Sequence, residues 1–130
     1  MLPNLPFLVA LYKNSGSQFF CAGNLISSRH VLTAAHCIHK KISFKSLQPD
    51  AINVSMGSGL MSTGVKRIKI HPKWRHHTNS YDADLAILFL DSEVHFSSSI
   101  QPVCLANSTD VLTYRNGTVV SLLIIYYSKS

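Results

Sequence analysis

Cys21-Ala22-Gly23-Asn24-Leu25-Ile26-Ser27-Ser28-Arg29-His30-Val31-Leu32-Thr33-Ala34-Ala35-His36-Cys37 is the stretch on which the fold turns. Two short apolar runs, Phe19–Ile26 and Val31–Ala34, stand on either side of a polar break, which is the pattern of strands and not of a helix. The second run enters a tight turn of small residues, Thr33-Ala34-Ala35. So little bulk there lets the imidazole of His36 project from the end of the strand, immediately before a cysteine.

The same pattern recurs on both sides. Phe7–Tyr12, Ile52–Met56, Val65–Ile70 and Leu85–Leu90 are further strand candidates, and helical periodicity is nearly absent. Asn14-Ser15-Gly16-Ser17 between the first two runs has hairpin-turn chemistry. At 130 residues the chain accommodates one domain. The expectation is an all-β fold, a single six-stranded antiparallel Greek-key barrel, its interior filled by Val, Ile and Leu.

From residue 105 to 117 the pattern fades into a polar stretch that reads as a linker. Residues 118–130 follow, including the most apolar window of the chain, Thr118–Tyr127. A strand so apolar needs cover on both faces, and the charge-free window is a cross-β hazard.

Twelve Lys and Arg against six Asp and Glu give a net charge of +6. The basic residues concentrate in Lys66-Arg67-Ile68-Lys69-Ile70-His71-Pro72-Lys73-Trp74-Arg75. Alternation of Ile68 and Ile70 with basic neighbours predicts a strand with one dry and one charged face. Lys66, Arg67, Lys69, Lys73 and Arg75 form a candidate polyanion site. Trp74 is the single aromatic among these basic residues and no zinc-finger spacing occurs, so no nucleic-acid-binding motif is present. No run of about 18 apolar residues exists to span a membrane.

Cys21, Cys37 and Cys104 make an odd count, leaving one thiol without an internal partner. Sequons at Asn53, Asn107 and Asn116, together with the cysteines, point to a secreted glycoprotein. Met1–Leu11 lacks a basic first region and is interrupted by Pro3 and Pro6, so it reads as the approach to a strand and not as a signal peptide.

The Cys21–Cys37 stretch resembles the catalytic-histidine region of trypsin-like (chymotrypsin-fold) serine proteases. Tyr81-Asp82-Ala83-Asp84-Leu85-Ala86-Ile87-Leu88-Phe89-Leu90 is similar to the segment carrying that family's triad aspartate. His71-Pro72 before it and Ile100-Gln101-Pro102-Val103-Cys104-Leu105 after it match in the same order, as does Leu5–Leu11 upstream. The resemblance covers about residues 5 to 120. It implies that residues 1–104 are the first of two barrels, with His36 as general base and acid and Asp84 orienting it. The apolar run beginning at Leu85 sets the register in favour of Asp84 over Asp82. A disulfide from Cys37 to Cys21 would pin the backbone that carries His36. Cys104 matches a cysteine that in many members bridges to a propeptide or light chain. Peptide or protein substrates are implied, and no cofactor.

Departures from the family pattern matter as much as the match. The nucleophile motif Gly-Asp-Ser-Gly-Gly is absent from the sequence, and Gly57-Ser58-Gly59 falls between the His and Asp blocks, in the wrong order. Met1-Leu2-Pro3-Asn4 is unlike the family's mature amino terminus. Where the family continues Gly-Trp-Gly, this chain reads Leu122-Leu123-Ile124-Ile125-Tyr126-Tyr127. That break resembles intron read-through, alternative splicing or a faulty gene model. The expectation is a barrel whose second half is missing and which is inactive alone. The alternative is a secreted pseudoprotease or interaction module. His71, His76 and His77, and the pair His36 and His39, lack the spacing of a metal motif, so no metal site is expected.

Overall fold

The computed structural model describes residues 5–105 and 107. Strands β1 (Leu8–Lys13), β2 (Gln18–Leu25), β3 (His30–Thr33), β4 (Asn53–Met56), β5 (Met61–Ile70) and β6 (Ala86–Leu90) form a closed barrel in the order β1-β2-β3-β6-β5-β4. Every pairing is antiparallel. The chain leaves β3, crosses the barrel end and returns as the meander β4-β5-β6, so β3 pairs with β6. That is a Greek key. Closure gives every strand a hydrogen-bonded neighbour on each side over part of its length. Each sequence-predicted run overlaps a strand. The expected linker, apart from Leu105 and Asn107, and the apolar tail lie outside the described residues.

Side-chain alternation builds the core. Val9 and Leu11 of β1, Leu25, Val31, Val54 and Met56, Val65, and Ala86, Leu88 and Leu90 of β6 all turn inward and are at most 4% exposed. Ile38, Ile52, Val94 and Ile100 extend this cluster beyond the strands. Glycine at position 23 has a packing reason. A Cβ there would sit 2.9 Å from the carbonyl oxygen of Leu32 and 2.9 Å from Val31 Cγ1. A side chain would therefore push β2 away from β3.

Two turns use the left-handed backbone region. Asn14, Ser15 and Gly16 have φ of 54°, 57° and 85°, and the Ser17 N–H returns to the Asn14 carbonyl at 3.2 Å. Ser58 and Gly59, at φ 55° and 93°, make the β4–β5 turn. Ser58 is therefore an exposed turn residue.

Two features differ from the sequence reading. Strand β5 begins at Met61, four residues before Val65, because Met61–Gly64 pair with β4 across the Ser58 turn. It also carries a bulge: Val65 faces Leu90 while Arg67 faces Phe89, leaving Lys66 as the extra residue. The bulge lets Val65 and Ile68 both point inward, three residues apart, while Lys66 and Arg67 are both exposed.

Candidate active site

The small residues after β3 close a one-turn helix, α1 (Ala35–Ile38), in place of the simple turn expected. Ala35, Cys37 and Ile38 are buried, whereas His36 is directed outward. Cys37 is bonded to Cys21 of β2, with their Cα atoms 6.2 Å apart. The helix that carries His36 is thus fastened covalently to the barrel wall. Thr33 secures the approach by donating its hydroxyl to the Ala22 carbonyl at 2.9 Å.

Asp84 reaches the site through an unusual backbone. Ala83 has φ 57°, and the Leu85 N–H donates to the Ala83 carbonyl at 2.8 Å, so a tight three-residue turn is centred on Asp84. Such a conformation is costly for a residue with a Cβ, and it occurs here beside a charged side chain. It ends with the Leu85 carbonyl accepting from the His71 N–H at 2.9 Å, and β6 begins at Ala86.

The two elements meet at two points. Asp84 Oδ2 accepts from His36 Nδ1–H at 2.7 Å, and Asp84 Oδ1 accepts from the His36 backbone N–H at 2.8 Å. The His36 side chain is 49% exposed and that of Asp84 20%. With Nδ1 holding the proton, Nε2 keeps its lone pair. The neighbouring carboxylate, Asp82, is exposed, and its backbone N–H is held by Ser80 Oγ at 3.2 Å.

The Trypsin family profile matches residues 2–122. This chain belongs to the trypsin family of serine proteases. It is 33% identical over 129 residues to "Serine protease gd" of Drosophila melanogaster, covering 88% of this chain and 24% of that protein. It is 30% identical over 105 residues to "Clotting factor G beta subunit" of Tachypleus tridentatus, covering 77% and 33% respectively. The chain thus spans a quarter to a third of the length of these curated relatives. The closed six-stranded barrel is one barrel of the trypsin fold.

Around the His36–Asp84 pair lies a shell that carries almost no signal in the sequence. The Lys41 ammonium sits 4.2 Å from the Trp74 ring centre and 4.8 Å from that of Tyr81. It donates to the Arg75 carbonyl at 2.6 Å and also to the Ser80 carbonyl. Tyr81 in turn lies edge-on to His36, centroids 6.3 Å apart. Trp74 Nε1 donates to the His39 carbonyl at 3.2 Å. One cation therefore ties the loop after His36 to the loop before Asp84. The only trace of it in sequence is the single tryptophan.

The other candidate residues are distributed more widely. Asn53 opens β4 and is half-buried, Asn107 is exposed, and Asn116 is outside the described residues. Cys104 is a free, exposed thiol. Among the described residues, the one convergence of three metal-ligating types is Cys21, His36 and Cys37. Both sulfurs there are consumed by the disulfide, so neither is a thiolate donor. Lys66, Arg67, Lys69, Lys73 and Arg75 are all exposed, and Arg67 lies over the Phe89 ring at 3.9 Å.

Proposed function

We propose that this chain supplies the base half of a serine endopeptidase active site, and that its 130 residues hydrolyse no peptide bond by themselves. His36 is the general base and acid: Nε2 takes the proton of an attacking serine hydroxyl and returns it to the departing amine. Asp84 fixes the tautomer and balances the imidazolium that forms. The two-point hold of Asp84 on His36 carries this reading, since one carboxylate orients both the ring and the backbone on which the ring is mounted. A serine hydroxyl is a poor nucleophile without such a base, and a base without the serine performs no acyl transfer. The sequence contains no Gly-Asp-Ser-Gly-Gly, and Ser58 belongs to the β4–β5 turn.

The disulfide and the sequons support an extracellular setting. The exposed thiol of Cys104 suits a bridge to a propeptide or light chain. The test is direct. Purified chain is incubated with a fluorophosphonate probe and with a panel of fluorogenic peptides. Neither labelling nor turnover is expected. Turnover that disappears on His36→Ala would show that the chain is an enzyme in its own right. An observation that favours the second reading, a non-catalytic interaction module, is the exposed cationic face of β5.

A further inference from the structure

We propose that the loop tip Ile42–Lys45, with the exposed cations of β5, is a docking surface for an anionic lipid bilayer. The proposal concerns a surface away from the His36–Asp84 pair and does not depend on catalysis.

Ile42 is 80% exposed and Phe44 103%, so two large apolar side chains stand free of the barrel, one residue apart. They do not merely hang from a slack loop. The Ile42 N–H donates to the His76 carbonyl at 2.7 Å, the Leu47 N–H to the Ile38 carbonyl at 2.9 Å, and His39 Nε2–H to the Ser43 carbonyl at 2.7 Å. Ser43 Oγ also accepts from the Lys45 N–H at 3.2 Å. Ile42 has φ 55°, a backbone region that β-branched residues rarely enter. The backbone is thus braced in a form that holds both side chains in solvent.

The charge around this tip is predominantly positive. Lys40 and Lys45 flank it and are exposed, and from His39 to Tyr81 the chain carries a single carboxylate, Asp50. Directly after the tip, Ser46–Pro49 line a shallow cleft of about 430 Å³ whose other wall is Lys66, Arg67, Ile68 and Ile70. The β5 bulge is what brings Lys66 and Arg67 side by side at its rim. Among the described residues, no carboxylate pairs with either.

Apolar tips beside cationic rims match the layered chemistry of a bilayer surface. The boundary below the headgroups accepts Ile42 and Phe44, and anionic headgroups accept Lys45, Lys66 and Arg67. A soluble polyanion would use the cations and gain nothing from Phe44.

The whole chain is tested for co-sedimentation with phosphatidylserine/phosphatidylcholine vesicles, with pure phosphatidylcholine vesicles, and for retention on heparin. Binding to the anionic vesicles is expected, with little to the neutral ones. The double variant Ile42→Ser/Phe44→Ser should weaken it at least tenfold while leaving the melting temperature and heparin retention unchanged. Lys66→Glu/Arg67→Glu should weaken it comparably. The apolar tail is common to all variants, so their differences read the tip and the rim. Equal vesicle binding by wild type and the Ile42/Phe44 variant would overturn the proposal. So would retention by heparin with no vesicle binding, which would make the surface a site for soluble polyanions.

Discussion

The imidazoles of His39 and His76 stack with centroids 3.8 Å apart and planes 20° from parallel. His76 Nδ1 is sealed from solvent with no hydrogen-bond partner. His77 lies edge-on to His76 at 5.4 Å, and Lys41 is close by. Desolvation first, and then the proximity of His39, His77 and Lys41, lower the pKa of His76 below 6.5, against a smaller opposing contribution from the Ser43 backbone.

This depression has a definite sign in stability. Well above pH 6.5 His76 is neutral whether the chain is folded or not, so it adds no pH dependence there. As the pH falls below 6.5, the unfolded chain takes up a proton that the folded chain resists, and stability declines until the lowered folded pKa is passed. Thermal melts from about pH 7.5 to about pH 5 should show this decline, and His76→Phe should flatten it. An unchanged slope in the variant would assign the pH dependence to other groups.

Asp84→Asn should keep the fold and lose the electrostatic hold on His36. In wild type the Nδ1 proton of His36, shared with a carboxylate at 2.7 Å, should give a far-downfield, exchange-protected proton resonance. In the variant that resonance should move upfield or vanish. Stability should fall by about 1–3 kcal/mol, as expected on weakening hydrogen bonds to a charged group. A downfield signal that persists would mean that Asp84 does not orient the ring.

How far the sequence disclosed this arrangement depends on the range of the interactions involved. The period-two runs in β1 and β6 are local, so Val9/Leu11 and Ala86/Leu88/Leu90 could be read as strand faces directly. Residues 61–64 could not: Ser62, Thr63 and Gly64 have no strand signature of their own and are recruited by pairing with β4. The β5 bulge is likewise a product of pairing, since Lys66 is extra only relative to Leu90 and Phe89. His36 and Asp84 were legible as motifs, but their second hydrogen bond depends on the positive φ of Ala83, which nothing in an alanine announces. Lys41 has no signal in the sequence, because its partners lie 33 to 40 residues further along the chain.

Removing the Cys21–Cys37 bridge, as Cys21→Ala/Cys37→Ala, should destabilise the barrel by about 3 kcal/mol, from the loop closed by a 16-residue separation. Urea unfolding measures it. The loss should reach His36 as well, because α1 has only one turn and the bridge is its covalent anchor. A change well under 1 kcal/mol would place the anchoring in packing around Ile38 instead.

Gly23→Ala tests the close approach of β2 and β3. The added methyl would lie 2.9 Å from a backbone oxygen, which cannot rotate away as a side chain can. Overpacking of this kind costs about 1–3 kcal/mol. The expected result is a lower urea midpoint with faster amide exchange in β3, the strand that leads to His36. A neutral substitution would show that the two strands can part without cost.

Lys41→Met separates the charge of the clamp from its stem. Methionine retains an apolar chain to lie against Trp74 and Tyr81, but it cannot donate to the carbonyls of Arg75 and Ser80. Losing charged hydrogen bonds of this type costs about 1–3 kcal/mol. The effect should be regional: faster amide exchange over 75–81 and altered Trp74 fluorescence, with the β1–β2 hairpin unaffected. Lys41→Arg should recover part of the loss, because a guanidinium still stacks on the indole while its longer fork meets the two carbonyls less squarely. Since Tyr81 leans on His36, loosening this loop should also broaden the His36 ring signals. Unaltered exchange over 75–81 in Lys41→Met would mean that Trp74 packing alone holds the loop, with the cation a passenger on it.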